Sequence, residues 1–410
     1  MKQLLNIAAA LLMIIAPAAA SAQKRVVDDV KRIISSMTVG VDQYKLAQGK
    51  IKPALSHDET KDNSETWLIA GKVQFGLYDK YMAQKSVGKT VDALAMGHAI
   101  IDGYAYMSRG LQLDSIKQYD KNGQPKIDRK TGLQQVKTKH SDDIMKILNA
   151  HIDDFNATGA ELYNVKDWDG AYLAWDIYCK LASGTVANEA LAEARYFQAI
   201  AAWQKGDMKL AVELFAISRE LGLVKKEGYD YALVCLSALN DEAGVVELAR
   251  EAYEYFGDVD PQYARIMIND YINRKDFVHA NQLLDEVIAT QSADAELQNL
   301  KGLVVEQSNN LESALPYFER AVQLDANNAQ AVYNVARYYY NTAVSASENN
   351  RRLSTRELKK IVNPLYEKAM PLMEKAYELD PTNTDAREAL RAIYYRLNMG
   401  TKLNALEKAN

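Results

Sequence analysis

The stretch that decides the fold is residues 192–225, which read AEARYFQAIAAWQKGDMKLAVELFAISRELGLVK. The same pattern returns in segments beginning at Lys226, Pro261 and Ala295, so successive starts are 34, 35 and 34 residues apart. Three columns of this internal alignment carry the pattern. The twentieth column holds Ala211, Val245, Ala280 and Ala314, the twenty-fourth Phe215, Ala249, Leu284 and Phe318, and the twenty-seventh Ser218, Ala252, Val287 and Ala321. A period of this length indicates a stack of structural repeats.

The recurring columns have a packing explanation. Two antiparallel helices approach closely only where side chains are small, as at columns 20 and 27, and the residue at column 24 fills the space beside them. Between the helices the chain turns, and turn or N-cap residues stand at Gly206-Asp207, Asn240-Asp241, Lys275-Asp276 and Asn309-Asn310. Each repeat is therefore predicted to consist of a helix, a turn and a second helix.

This period and its small-residue columns resemble the tetratricopeptide repeat family. The resemblance implies an all-α fold, a right-handed superhelical solenoid of antiparallel helix pairs. Three upstream segments have residues at related positions. One unit contains Phe155, Gly159, Leu162, Ala171, Trp175 and Tyr178, and a second has Trp67 and Gly71 before a predicted helix over Val91–Leu113. A third, degenerate unit contains Ala47, Ile51 and Ala54. Downstream, the second helix of a repeat returns only at Ala369, Met373 and Ala376, after a polar insertion.

The predicted organisation has five parts. It comprises a signal peptide (residues 1–22), degenerate helical repeats (23–117), an inserted loop or small β-hairpin (118–140), the solenoid (141–383, with the insertion at 342–363) and capping helices (384–410). In the capping part, Leu390 and Tyr394 are expected to point inward.

Residues 1–22 have the three parts of a secretory signal peptide. Lys2 supplies the positive charge, Leu4–Ile15 an apolar run, and Ala20-Ser21-Ala22 a small-residue cleavage site. The run is shorter than the roughly 20 residues that a spanning helix needs. We expect an exported protein, periplasmic or secreted after cleavage near Ala22, with no transmembrane segment in the mature chain.

Composition excludes several function classes. The formal charge of −5 argues against a generally basic surface that coats nucleic acid. Two cysteines are too few for a disulfide scaffold or a four-cysteine zinc site, and five histidines leave little material for a metal centre. Cys179 and Cys235 fall on helices too far apart to pair in the repeat register, so both are expected to be buried free thiols.

Sequence motifs for catalysis are absent. The chain has no phosphate-binding loop, no His-Glu-x-x-His zinc pattern and no Gly-x-Ser-x-Gly nucleophile elbow. Asp120-Lys121-Asn122-Gly123 resembles part of a calcium loop, but Arg129 stands where an acidic ligand is required, so a plain turn is expected. His98, His151 and His279 are predicted to be structural residues within helices. We therefore expect no enzyme, no metal and no cofactor.

The predicted insertion after residue 114 is strongly basic. Between Lys117 and Lys139 there are seven lysines or arginines against two aspartates. Such a run favours either contact with an anionic partner or surface, or a solvated excursion from the fold.

The resemblance also places a partner-binding surface. In each repeat, columns 5, 9 and 12 of the first helix share one face, and stacking joins these faces into a concave groove. The candidate residues on this groove are Tyr163, Tyr196, Trp203, Arg265, Asn269, Asn299, Tyr333, Arg337 and Tyr340. Arg265 and Asn269 match the opening pair of the carboxylate-gripping members of the family, but Leu300 replaces the next asparagine, so no such clamp is predicted.

The sequence thus predicts a non-catalytic scaffold or adaptor of the cell envelope that binds a peptide or protein through the concave face. Two alternatives remain at this stage. One is an envelope glycan- or peptidoglycan-binding protein that uses the many tyrosines. The other is an enzyme whose site is formed by the carboxylates and tyrosines of the Asp102–Tyr106 region or by an insertion. No nucleic-acid partner is expected.

Overall fold

The structure, a computed structural model, describes residues 23–36, 38–307 and 311–408. The predicted signal peptide and the predicted turn Asn309-Asn310 lie outside the described residues. The chain divides into two compact units, residues 1–240 (unit 1) and 241–410 (unit 2). The division falls at the turn Asn240-Asp241, between the two helices of one aligned repeat.

Unit 1 contains ten helices among its described residues. They are α1 (residues 23–34), α2 (Val41–Ile51), α3 (Ser64–Ser86), α4 (Ala93–Leu113), α5 (Ser141–Ala150), α6 (Ile152–Asn164), α7 (Trp168–Ala182), α8 (Asn188–Gln204), α9 (Met208–Glu220) and α10 (Lys226–Ala238). A short 3₁₀ turn, Lys52–Leu55, follows α2. Consecutive helices from α6 to α10 pack in order along the chain, as the repeat pattern predicts.

Unit 2 is helical throughout its described part. Its helices are α11 (Glu242–Phe256), α12 (Gln262–Asn273), α13 (Phe277–Thr290), α14 (Ala295–Gln307), α15 (Leu311–Leu324), α16 (Ala329–Asn349), α17 (Thr355–Leu379), α18 (Thr384–Arg396) and α19 (Gly400–Lys408). Each helix packs against the next. The all-α fold of ordered helix pairs is therefore confirmed in both units.

The repeat columns lie in the core, as predicted. Eleven of the twelve aligned residues at columns 20, 24 and 27 are buried, and Val245 is half-buried. Close approach of the helices is visible where a glycine faces a ring. A Cβ on Gly159 would lie 2.5 Å from the Trp175 ring, and one on Gly302 would lie 2.4 Å from the Phe318 ring. The two glycines occupy the same place in their repeats, so one packing device recurs in both units.

Turns between paired helices follow one design. An aspartate side chain caps the second helix by accepting a hydrogen bond from a backbone N–H three residues on, as Asp207, Asp241 and Asp276 do. The residue before each aspartate has a left-handed backbone, with φ of 89° at Gly206 and 60° at Lys275. These caps confirm the predicted restart of the helix.

The polar insertion at 342–363 is helical except for a turn at 350–354. It lengthens two helices beyond the repeat, because α16 runs 21 residues and α17 runs 25. Ser354 and Glu357 form a capping box at the start of α17. Ala343, Val362 and Tyr366 are buried between the two helices, which explains why a polar segment remains ordered.

The insertion before α5 contains a small antiparallel sheet. Strand β1 (Ile116–Lys117) pairs with β2 (Val136–Lys137), with Ile116 opposite Lys137. The insertion therefore contains a β-hairpin, and its first strand lies at 116–117, just before residue 118, where the insertion was predicted to begin. No described helix is long and apolar enough to cross a bilayer.

One histidine differs from its prediction. His151 lies between α5 and α6 and not within a helix. It is held there by hydrogen bonds from its ring to the Ile147 carbonyl (2.8 Å) and the Asp79 carboxylate (3.1 Å). His98 and His279 do lie in helices, α4 and α13.

Candidate partner-binding surface

In unit 1, three successive first helices present one row of side chains. Columns 9 and 12 of α6, α8 and α10 supply this row, which we term the first-helix face. It consists of Ala160, Tyr163, Ile200, Trp203, Val234 and Ser237, all half-buried or exposed. Val234 is 53% exposed, although valine is usually a core residue. Columns 9 and 12 are therefore mainly apolar, with a hydroxyl at the α10 end, while column 5 beside them adds the polar residues Asn156 and Asp230.

The two large aromatic residues of this face are held by neighbours. The Tyr163 ring lies 4.8 Å from the Trp168 ring, and the Trp203 ring lies 4.8 Å from the Tyr231 ring on the next first helix. Both side chains are half-buried, so each presents one side of its ring. Their fixed orientation offers apolar area with little side-chain entropy left to lose on binding.

Tyr196 does not face an open groove, which corrects the prediction for this residue. It is only 9% exposed and packs edge-on against Phe215 and Phe197, at 5.8 and 5.4 Å between ring centroids. Burial raises the pKa of its phenol to about 12. The Lys225 ammonium lies over the ring, 5.1 Å from its centroid. Tyr196 is therefore a packing residue between the two helices of its own repeat, α8 and α9.

In unit 2, the two predicted arginines pair with carboxylates of the chain itself. Arg337 on α16 makes two hydrogen bonds, of 2.9 and 2.5 Å, to Glu306 on α14. Arg265 on α12 pairs with Asp294, before α14, and lies 3.3 Å from Glu296. Both arginines thus join successive first helices. The charges of both arginines are therefore matched by carboxylates of the chain itself.

The other unit 2 candidates divide by burial. Asn299 is 5% exposed, and its Oδ1 accepts a hydrogen bond of 2.8 Å from Asn334 Nδ2 on α16, so this residue also does not face an open groove. Asn269 is exposed. Tyr333 and Tyr340 are half-buried, and Tyr340 packs 5.9 Å from the Tyr366 ring. The unit 2 surface is therefore more polar than the first-helix face.

Sequence reasoning missed the partners of these polar residues. Asp294 and Glu296 begin the repeat after Arg265, and Glu306 occupies column 12 one repeat before Arg337 in column 9. Opposite charges three columns apart in successive repeats were the available signal. A second missed residue is Lys301, whose buried ammonium is satisfied by Asn281 (2.6 Å) and Asp285 (2.5 Å) on α13.

A cleft of about 390 Å³ in unit 1 was also missed. Its lining includes Lys31, Lys72, Tyr44, Asp79 and His151. Both lysines have carboxylates nearby, Glu65 for Lys31 and Asp143 at 3.8 Å for Lys72. The cleft is therefore close to electrically balanced and shows no preference for an anion or a cation.

In the part of the chain that the structure describes, no cluster of histidine, cysteine, aspartate or glutamate side chains could hold a metal ion. The partial calcium motif forms the expected plain turn, since Asp120 Oδ1 accepts hydrogen bonds from the backbone N–H groups of Asn122 and Gln124, both at 2.8 Å. Asp102 belongs to the region predicted for the alternative enzyme site. Burial raises the pKa of its carboxyl group.

Comparison with known proteins gives a repeat-level match. Residues 295–328 match the family model described as tetratricopeptide repeat. No curated protein matches the chain. Solved structures that resemble it include MamA (15% identity, covering 45% of this chain and 94% of that one, TM-score 0.33) and the C-terminal part of a TPR repeat-containing protein from Cytophaga hutchinsonii (14%, 61% and 94%, 0.40). A third is YrrB, a TPR protein with an unusual peptide-binding site (17%, 59% and 96%, 0.27).

Proposed function

We propose that this chain, a tetratricopeptide repeat protein, is a scaffold that binds a protein partner on the first-helix face of unit 1. The partner would present an extended peptide or one side of an amphipathic helix. Helix-pair repeats commonly serve as preformed binding surfaces, because stacking places equivalent positions of successive helices side by side. Binding on such a surface needs no covalent step.

The observation that carries the proposal is the exposed apolar row on α6, α8 and α10. An apolar side chain left in water costs free energy that burial against a partner recovers, at roughly 25 cal/mol per Å². Val234 has half of its surface exposed, and the same row contains the half-buried Trp203 and the exposed Ser237. Aromatic anchors beside smaller apolar residues are typical of the centre of protein interfaces.

The proposal includes the place of action. The features of Met1–Ala22 support export, and we propose that the scaffold works in the cell envelope or outside the cell. The glycan-binding alternative is less well supported. Among the described tyrosines only Tyr119, Tyr255 and Tyr395 are largely exposed, and they lie on separate elements and form no stacking platform.

A matched pair of substitutions tests the surface. Val234→Glu places a charge on the first-helix face, whereas Leu173→Glu places the same charge on α7, a second helix of the same unit, at a similarly exposed apolar position (53% and 44%). Neither side chain is in the core, so both variants should fold. Chemical crosslinking in the producing cells, followed by mass spectrometry, compares the partners of each variant with those of the wild type.

We expect Val234→Glu to reduce one or more crosslinked proteins at least tenfold, since a buried unpaired carboxylate opposes binding, and Leu173→Glu to retain them. If both variants keep the same partners, or if both lose them equally, the first-helix face is not the binding surface.

A further inference from the structure

The basic hairpin, defined as residues 115–140, is the second unusual surface of the chain. Besides the pairing of β1 with β2, it has isolated bridges between Tyr119 and Pro125 and between Ile127 and Gln134. Two aspartate turns close its inner loops, at Asp120 and Asp128. The segment is therefore an ordered, compact projection and not an open loop.

Its cations form no close ion pair within the described part of the chain. All seven are exposed, and none lies within 4.0 Å of a carboxylate in the described part of the chain; they are Lys117, Lys121, Lys126, Arg129, Lys130, Lys137 and Lys139. The two aspartates of the hairpin are engaged by backbone N–H groups of their own turns. The hairpin thus carries a concentrated positive charge on a chain whose formal net charge is −5.

The same projection exposes large apolar side chains. Five of them have more than half of their surface in water, and they are Ile116 (54%), Tyr119 (52%), Ile127 (51%), Leu133 (69%) and Val136 (52%). None belongs to a core cluster of the described residues. Cations and exposed aliphatic groups alternate on a small element, and this combination needs explanation because a merely solvated excursion would favour polar side chains.

The two kinds of side chain select among anionic partners. Any polyanion attracts lysines, but aliphatic side chains gain nothing from a phosphate backbone or a sulfated glycan. Six of the seven cations are lysine, which lacks the fork that makes arginine the usual reader of base edges. An anionic bilayer matches both kinds, because its headgroups attract the cations and its interface accepts apolar side chains to a shallow depth.

We propose that the basic hairpin docks unit 1 peripherally on a lipid bilayer that contains anionic phospholipids. The lysines contact headgroup phosphates, while Tyr119, Ile127 and Leu133 enter the interface. The hairpin is fixed to α4 and α5 at its base, where Asp114 accepts four hydrogen bonds, so docking would also set the orientation of unit 1. This inference is independent of the first-helix face.

Vesicle co-sedimentation tests the proposal. The probe chain begins at Gln23, so that the apolar run Leu4–Ile15 cannot itself insert, and the described packing lies within residues 23–408. Vesicles contain phosphatidylglycerol and phosphatidylcholine in equal amounts, or phosphatidylcholine alone. We expect at least tenfold more bound protein on the anionic vesicles, and a steep loss of binding in 0.5 M salt because screening weakens the lysine contacts.

Charge reversal on the hairpin has a matched control. The variant Lys126→Glu/Arg129→Glu/Lys130→Glu should lose binding at least tenfold. The control Lys89→Glu/Lys146→Glu/Lys209→Glu makes the same change in net charge at exposed cations elsewhere in unit 1 and should bind nearly as the wild type does. Equal losses in the two triple variants would overturn the proposal, because binding would then follow net charge alone.

The apolar contribution is tested separately. Ile127→Ser/Leu133→Ser keeps the charge and should weaken binding severalfold; unchanged binding would reduce the contact to nonspecific electrostatics and overturn the lipid assignment. Replacing residues 118–135 by Asn-Gly, a turn that fits the β1–β2 pair, should abolish vesicle binding while circular dichroism stays unchanged. Binding to a short DNA duplex in place of vesicles, with the same dependence on Lys126 and Lys130, would overturn the proposal in favour of a nucleic-acid site.

Discussion

Single residues decide how the added segments are held to the repeats. Asp114 Oδ2 accepts hydrogen bonds from the backbone N–H groups of Lys139, His140 and Ser141 and from the Ser141 hydroxyl, at 2.7–2.9 Å. Burial alone would raise the pKa of Asp114, but these hydrogen bonds outweigh it and hold the pKa at about 2. One carboxylate therefore closes the base of the basic hairpin and caps the start of α5.

This arrangement predicts a pH dependence. Because the folded pKa lies below the ordinary value, the contribution of Asp114 is complete above about pH 4 and is lost as the pH falls toward 2. Hydrogen exchange of the Lys139–Ser141 amides should accelerate across that range, after correction for intrinsic rates.

The variant Asp114→Asn is the comparison. It should show fast exchange of these amides at every pH and no step between pH 4 and 2, with a local loss of about 1.5–3 kcal/mol, the value of a hydrogen bond to a charged group. A wild-type protein whose amides exchange independently of pH would contradict the role of this carboxylate.

For single residues, the sequence predicted burial correctly at some positions and not at others. Columns 20, 24 and 27 were assigned correctly, because burial there follows from the helical period alone. Tyr196 and Asn299 were misassigned to an open groove. Tyr196 packs against Phe197, and Asn299 is hydrogen-bonded to Asn334. The repeat period does not predict either contact. The pairing of Arg337 with Glu306 likewise depends on how far successive repeats are offset.

At the scale of elements, short turns set the helix pairs. Asn240 and Lys275 take a left-handed backbone, with φ of 56° and 60°, a conformation that costs a residue with a Cβ roughly 1 kcal/mol. Gly206 takes the same conformation without that cost. The repeat thus tolerates a small backbone strain at this turn. The hydrogen bond of the aspartate cap that follows offsets the strain energy.

Lys275→Gly should therefore stabilise unit 2 by about 0.5–1 kcal/mol, because glycine relieves the left-handed backbone. The matched control is Asn273→Gly, two residues earlier at the end of α12, where the backbone is helical and glycine should destabilise by a similar amount. Urea unfolding followed by circular dichroism measures both. Equal destabilisation by the two substitutions would show that the turn is not strained.

The polar segment at 342–363 could be recognised as an insertion but not as helix. Its composition is that of a solvated loop, although Ala343 and Val362 are buried between the lengthened helices and Ala346 and Leu358 pack against the same core. Their spacing spans two helices that pair with each other, so no single-helix period reveals them. The basic hairpin was easier to predict, because two glycine turns interrupt it at Gly123 and Gly132, both with positive φ.

At the scale of the whole molecule, the chain divides into two compact units, and each is a series of packed helices. The aligned repeats run through the division at Asn240-Asp241 without a change in pattern, so the sequence gives no sign of it. In repeat proteins each helix pair contacts mainly its neighbours, and cooperativity weakens wherever one interface is poorer than the rest.

Two equivalent core substitutions test this division. Phe155→Ala in unit 1 and Phe318→Ala in unit 2 each remove a fully buried ring and should cost about 3–5 kcal/mol. We expect urea unfolding to show two transitions, with each substitution lowering a different one. A single transition that both substitutions lower equally would show that the units unfold together.

The two buried thiols of unit 1 have a consequence for the folding of a newly made chain. Burial raises the pKa of Cys179 and of Cys235 to about 11, so in the folded protein neither forms the reactive thiolate. A newly translocated chain has no such protection. If it is exported as proposed, it enters an oxidising compartment with both sulfurs open to a disulfide that its native form lacks. The yield of correctly folded molecules then depends on how quickly α7 and α10 pack into the core, because packing must bury the two thiols before an oxidase reaches them.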